Sequence, residues 1–377
     1  MQAKVCWLAV VLAACGAAQA QWEMESSGTT ADLRGIDNVG GGVAWASGTN
    51  GTVLRTEDGG YLWQACAVPP GAEHLDFRGV QAFDANTAIV MSSGKGDLSR
   101  LYKTTDGCQT WKLVFTNPYP DGFWDAIKFA DSLHGFLFGD PIAVRGTSES
   151  RFELEQTFDG GKSWVLWEQK ISELKAGEGS CAFAASNSSL LLEDRFDASV
   201  ALGCQGGPGI LLAENTAPGF CDCHPMPPEK EWFNRLIVSL IPSAPFPMEE
   251  SGGIFSIARN GDELIAVGGD YRQPESGSQS AAILRYRHWI APTTLPHGYR
   301  SAVVYDAASK TWITVGPNGT DVSTDDGKNW RALHPDPAMH EASNADREWN
   351  ALSLPFVVGP RGRIGKLNPK ALTAAAH

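Results

Sequence analysis

Seven times along the chain a short apolar run stops at a glycine: Ala46-Ser-Gly48, Met91-Ser-Ser-Gly94, Leu137-Phe-Gly139, Ala201-Leu-Gly203, Ala266-Val-Gly268, Thr314-Val-Gly316 and Val357-Val-Gly359. Upstream of each lies a second segment with small or polar residues at its centre. These read Leu33-Arg-Gly-Ile36, Phe77-Arg-Gly-Val80, Trp124-Asp-Ala-Ile127, Ser180-Cys-Ala-Phe183, Phe255-Ser-Ile257, Tyr299-Arg-Ser-Ala302 and Trp349-Asn-Ala-Leu352. Each pair predicts two short strands, the first with small central residues that suit a crowded axis. The glycines recur about every 52 residues, a period typical of units of four short strands repeated around a ring.

A third signal follows the second strand in four of the units. It reads Thr56-Glu-Asp-Gly-Gly-Tyr-Leu-Trp63, Thr104-Thr-Asp-Gly-Cys-Gln-Thr-Trp111, Thr157-Phe-Asp-Gly-Gly-Lys-Ser-Trp164 and Ser323-Thr-Asp-Asp-Gly-Lys-Asn-Trp330. The pattern resembles the Asp-box (BNR) repeat. Mechanically, the carboxylate accepts backbone N–H bonds inside a tight turn, glycine supplies the positive φ, and tryptophan opens the next strand. Asp58, Trp63, Asp106, Trp111, Asp159, Trp164, Asp325 and Trp330 are therefore read as structural staples, with Leu62 and Cys108 as departures that weaken two turns. Each unit is then strand a, strand b, strand c, the turn, and strand d beginning at tryptophan.

The last unit stops at Leu367 without a strand d, and Gln21-Trp22-Glu23-Met24 looks like the missing one. Pairing these ends would close a ring and leave no sheet edge exposed. The expected fold is all-β: one seven-bladed β-propeller over 21–377, its N-terminal strand closing the last blade. A six- or eight-bladed ring and a non-propeller β fold are the alternatives. An insertion at about 215–247 replaces a turn, and a short helix is expected around Glu231 to Leu240.

Composition supports one large β domain: 43% of residues are hydrophobic, and 41 glycines and 13 tryptophans suit many tight turns and flat core side chains. The formal charge of −13 comes without a Lys/Arg cluster, which argues against nucleic acid or an anionic membrane surface as partner. Residues 1–20 read as an export signal: Lys4, an apolar run from Val5 to Ala14, then Ala18-Gln19-Ala20. Leu12-Ala13-Ala14-Cys15 also matches a lipobox, so the mature protein is either free in the periplasm or secreted, or lipid-anchored through Cys15 (signal 1–14). No later stretch reaches the length of a membrane span, and a monomer is expected.

Six cysteines remain after the leader: Cys66, Cys108, Cys181, Cys204, Cys221 and Cys223. Cys181 opens strand a and Cys204 follows the end of strand b of one unit, so antiparallel pairing brings them into disulfide range. The competing reading is two buried thiols that merely pack. Cys221-Asp-Cys223-His224 crowds three ligands into four residues, which rarely closes a tetrahedral metal site, so no metal is expected. Nor is any cofactor: no Gly-x-Gly-x-x-Gly joins a strand to a helix.

Propeller geometry places the Asp turns on one rim, and the b–c loops with the starts of strand a on the other. The second face collects Arg34, Arg78, Asp125, Arg300 and Asn350 from strand a, and Asp140, Asp270, Tyr271, Asn318 and Arg361 from the b–c loops. Three arginines there suit an anionic ligand. Equally, they suit internal pairing with Asp125, Asp140 and Asp270.

Phe138-Gly-Asp-Pro141, Gly252-Gly-Ile-Phe-Ser-Ile257, Ala266-Val-Gly-Gly-Asp-Tyr271 and Gly316-Pro-Asn-Gly-Thr320 resemble a bacterial branch of the Ycf48/HCF136-like group of photosystem II assembly factors. That resemblance spans Trp22 to about Leu367 and implies a protein-binding arginine patch, which Arg34, Arg78 and Arg300 could match; nothing in the chain implies a photosystem partner. The leading expectation is a non-enzymatic binding or assembly module of the bacterial envelope, holding a protein or an anionic or glycan ligand. The alternative is a glycoside hydrolase, since sialidases share Asp-box propellers. Leu33-Arg-Gly-Ile36 lacks the proline of a sialidase segment, and no Glu is placed beside Tyr271 or Tyr299. The better catalytic candidate is the pair Asp125 and Asp140, at neighbouring strand ends.

Overall fold

The computed structural model describes residues 21–166, 176–193, 197–215, 236–335 and 341–373. The leader, Cys15 and the Cys221–His224 cluster lie outside them. Seven four-stranded antiparallel sheets form a β-propeller. Blade 1 covers residues 33–65, blade 2 77–116, blade 3 124–166, blade 4 190–241, blade 5 252–290, blade 6 302–333, and blade 7 351–367 together with Trp22–Glu25. The ring closes through the chain ends: Trp22 pairs with Leu367, Met24 with Gly365 and Glu25 with Ile364.

Seven apolar clusters fill the seven interfaces between neighbouring blades. Each turn tryptophan packs toward the preceding blade, Trp63 against Phe356 of blade 7 at 5.4 Å between ring centroids. The strand-b glycines have a packing reason. A Cβ at Gly48 or Gly268 would collide with the backbone carbonyl of Asp32 or Gly253, where strand a enters. Only a residue without Cβ lets the two strands approach there. Blade 2 departs from this: Ser92, not Gly94, faces Phe77.

The four repeated turns share one hydrogen-bond pattern. In blade 1 Thr56 Oγ1 donates to Asp58 Oδ1 at 2.9 Å, accepts from Gly60 N at 3.0 Å, and Asp58 Oδ1 accepts from Leu62 N at 3.0 Å. The same three bonds recur at Asp106, Asp159 and Asp325. Strand d begins one residue after the tryptophan, as at Gln64, Lys112, Val165 and Arg331. Cys108 takes the left-handed φ of 64° where the other turns use glycine. Its compensation is a disulfide to Cys66, Cα–Cα 5.3 Å, which ties blade 2 to the end of blade 1.

Two expectations are corrected. Residues 236–241 are strand d of blade 4 (Leu236–Ile241), paired in register with Gly209–Asn215, not helix; the rest of the expected helix lies outside the described residues. Strand a of blade 4 is Leu190–Leu192 rather than the segment at Cys181. Cys181 makes an isolated bridge to Gly203, and the chain then leaves the sheet before returning as a 3-10 turn, Asn187–Ser189. This excursion crosses the axis. Asn187 Nδ2 donates to the Val80 carbonyl of blade 2 at 2.7 Å, its Oδ1 accepts from Ile127 N of blade 3 at 3.3 Å, and Ser188 meets Ser256 of blade 5 at 2.8 Å. The central channel is plugged by the protein's own chain.

Candidate functional site

Above the plug lies a cavity of about 750 Å³. What lines it follows from strand register. In blades 1, 2, 3 and 5 strand a carries a bulge, at its second residue in the first three and at its fourth in blade 5, so one side chain is left out of the ladder: Arg34, Arg78, Asp125 and Phe255. Bulges re-aim side chains in this way. The register-equivalent residues of blades 4, 6 and 7 are Ala182, Ser301 and Asn350, each one residue past the partner of a strand-b glycine. All seven line the same cavity.

That register explains where the sequence reading erred. In blade 6 the glycine Gly316 lies over Arg300, so Arg300 takes the inward position of Leu33, Trp124 and Trp349, and Ser301 takes the cavity position. Arg300 is fully buried between blades, donating to Asp321 at 2.8 Å and to Asn318 Oδ1 at 2.6 Å. Asn318 is thereby a partner of Arg300 rather than a site residue. Asp270 is buried and caps its own loop, accepting from Arg272 N and Gln273 Nε2, each at 2.9 Å. Arg361 is exposed and pairs with Glu348. None of these four lines the cavity.

Arg34, Arg78, Asp125, Asp140, Tyr271 and Asn350 do. The two arginines pair neither with Asp125 nor with Asp140 but share Asp76, at 3.3 Å from Arg34 Nε and 2.8 Å from Arg78 Nε. Arg78 also donates to the Ala184 carbonyl at 3.2 Å. Asp32 sits at 3.9 Å from Arg34 and is itself solvent-exposed. Two guanidiniums on one close carboxylate leave the edge formed by blades 1 and 2 cationic. Donor capacity remains on both, since each guanidinium has five N–H groups.

Opposite this edge stands an aromatic wall. Phe183, from the blade 4 excursion, stacks on Phe255 at 3.9 Å; Tyr299 meets Phe255 edge-on at 4.8 Å; Tyr271 stands perpendicular to both phenylalanines. The Cys181–Cys204 disulfide, Cα–Cα 5.5 Å, holds the start of the excursion and borders the cavity. The expected pairing of these two cysteines is present.

The carboxyl pair sits beneath. Asp140 accepts from Ala182 N at 3.0 Å, and burial, reinforced by Glu153, pushes it up to about 6 despite that bond. Asp125 is fully buried with neither oxygen hydrogen-bonded. Burial, then repulsion from Asp140, raises it well above the carboxylate range, and Arg78 offsets this only in part. Asp76, Phe183, Phe255, Ser301 and the plug escaped the sequence reading. Ser301 was recoverable only by counting register from the strand-b glycine, and hairpin lengths vary too much between blades for that count.

No family model matches the chain, and no curated protein does. Among solved structures it is similar to Ycf48 bound to D1 peptide (TM-score 0.59, 16% identity, covering 92% of this chain and 96% of that one). It is also similar to Ycf48 from Cyanidioschyzon merolae (TM-score 0.59, 16% identity, 93% and 100%). The WD40 β-propeller domain of Doa1 matches with TM-score 0.54 at 12% identity, over 93% and 98%. At such identities the shared property is the propeller fold. Among the described residues no helix is long and apolar enough to cross a membrane, and no group of three or more His, Cys, Asp or Glu is placed to hold a metal.

Proposed function

We propose that this propeller is a non-enzymatic binding or assembly module that holds an acidic segment of a partner protein in its plugged central cavity. One observation carries the reading: seven register-equivalent positions face one blind cavity, and two adjacent ones are arginines sharing a single carboxylate. Carboxylates of the partner would take the free guanidinium donors, and an apolar or aromatic side chain between them would rest on Phe183 and Tyr271. The solved complex of Ycf48 with D1 peptide shows a propeller of similar fold with a peptide bound, which supports the class of ligand. Two disulfides, with the export signal expected at residues 1–20, support a site of action in the bacterial envelope, either free or anchored at Cys15.

The test is fluorescence anisotropy with fluorescein-labelled Ac-Glu-Glu-Phe-Glu-Glu-amide. Binding that weakens with salt, and at least tenfold in Arg34→Glu/Arg78→Glu, is the expected result. Equal affinity of wild type and the double variant would overturn the assignment. Glycoside hydrolysis by Asp125 and Asp140 keeps one supporting observation, two carboxyls with different titration in one cavity. It requires glycan turnover that Asp140→Asn abolishes.

A further inference from the structure

We propose that Asp125 takes part in recognition as a neutral carboxylic acid, donating its proton to an oxygen of the bound carboxylate beside the Arg78 guanidinium. The inference rests on the binding role proposed above and names the group that selects the ligand's oxyanion.

Geometry is the starting point. Asp125 occupies the bulge position of blade 3, the same position that aims Arg34 and Arg78 into the cavity. Its residue is 1% exposed and both oxygens lack a hydrogen-bond partner. Among the described residues Glu155, Asp346 and Asp76 each have one buried oxygen without a hydrogen bond, whereas Asp125 has two. Glu153 accepts from Trp124 Nε1 at 2.9 Å and Asn117 Nδ2 at 3.0 Å, and Asp140 accepts from Ala182 N. A buried polar group without a partner is costly, so a group left this way at the floor of a cavity is placed for something that enters.

What enters is decided by the surroundings. The charged or titratable groups facing Asp125 are Asp140 from strand b and Glu153 from strand c of its own blade, and Arg78 from blade 2. From blade 4 the excursion presents Ala182, Phe183, Ala184 and Ala185 to the cavity, none of them titratable. Arg78 is committed to Asp76 and to the Ala184 carbonyl, so it does not hold Asp125 as an ion pair. An ionised Asp125 beside Asp140 would repel the oxyanion that the arginines attract. A protonated one adds a short, charge-assisted O–H···O⁻ bond to it. Its direction of titration, well upward, agrees. The site then reads a carboxylate by two kinds of donor at once, guanidinium N–H from the rim and carboxyl O–H from the floor.

The experiment measures Kd by anisotropy for fluorescein-labelled Ac-Glu-Glu-Phe-Glu-Glu-amide from pH 5.5 to 9.5, and Kd for D-glucuronate separately by titration calorimetry over the same range. Asp125→Asn keeps a donor in the same place and should bind within threefold of wild type at pH 5.5. Asp125→Leu, of similar bulk without a donor, should lose at least tenfold. Ionisation of Asp140 near pH 6 weakens both proteins alike; between pH 7.5 and 9.5, above that step, wild-type affinity should fall further while the Asn variant stays flat. Asn binding as weakly as Leu, Leu binding like wild type, or an alkaline decline shared by wild type and Asn would each overturn the proposal. Glucuronate binding with this same dependence on residue 125, without peptide binding, would keep the Asp125 donor and overturn the peptide as its source. No binding of either probe overturns both readings.

Discussion

Ring closure rests on a strand of four residues, and Trp22 is the side chain through which it holds. Trp22 is 1% exposed, lies 5.9 Å from Trp349 between ring centroids, and donates Nε1 to Thr320 Oγ1 of blade 6 at 3.1 Å. It belongs to the cluster that joins blades 6 and 7. Trp22→Ala removes the ring from a packed interface, at a cost of about 3–5 kcal/mol. Trp22→Phe keeps much of the apolar contact and loses the hydrogen bond, about 1 kcal/mol, with some packing lost besides. Unfolding entropy of about 2.1 cal/mol/K per residue over a domain of this size makes each kcal/mol worth roughly 1.3 °C. Calorimetric melting at pH 7 should show the Ala variant about 5 °C lower and the Phe variant about 2 °C lower. An Ala variant melting within a degree of wild type would mean that the closing strand adds nothing to the ring, and the closure argument would fail.

Two further outcomes follow from buried groups. Burial and the neighbouring Glu153 push Glu155 up to about 9 from 4.5, so the native state keeps a proton that the unfolded chain releases. Stability should decline as pH rises from about 5 through 9, and urea titrations of Glu155→Gln should show that decline flattened; an unchanged profile would refute the assignment. For the Cys181–Cys204 bridge, which closes a separation of 23 residues, replacing both cysteines by serine should cost about 3 kcal/mol and loosen the excursion that carries Phe183. Mass mapping of unreduced, exported protein that finds free thiols at both positions would remove that bridge from the account.

How far the sequence reaches differs between fold and site. Glycine is needed in five of the seven blades, where strand b passes the carbonyl of an entering strand, and an Asp–Gly–Trp turn repeats because its hydrogen bonds are local. Both constraints act within a few residues, so the repeat, its period and the closing role of Trp22 were legible in order alone. Arg34 and Arg78 were legible for the same reason, each standing directly after a large core residue, Leu33 or Phe77, at the entry of its strand. Arg300 reads the same way after Tyr299, yet it is buried against Asp321. One residue of register separates the two fates, and register is settled by cross-strand pairing rather than by neighbours in the chain.

The sequence by itself therefore carried the four-stranded repeat, its period and the closure of the ring through Trp22, and it brought Cys181 and Cys204 within reach of each other while leaving two packed thiols as the alternative. Tertiary structure alone decided that blade 4 sends residues 182–189 across the axis, that Asp76 rather than Asp125 or Asp140 neutralises the arginines, and that Asp125 is left without a partner. The physical reason is range. Turns and strand alternation are written in nearest-neighbour sterics, whereas the cavity is the meeting point of seven chain segments whose spacing along the sequence carries no record of their distance in space.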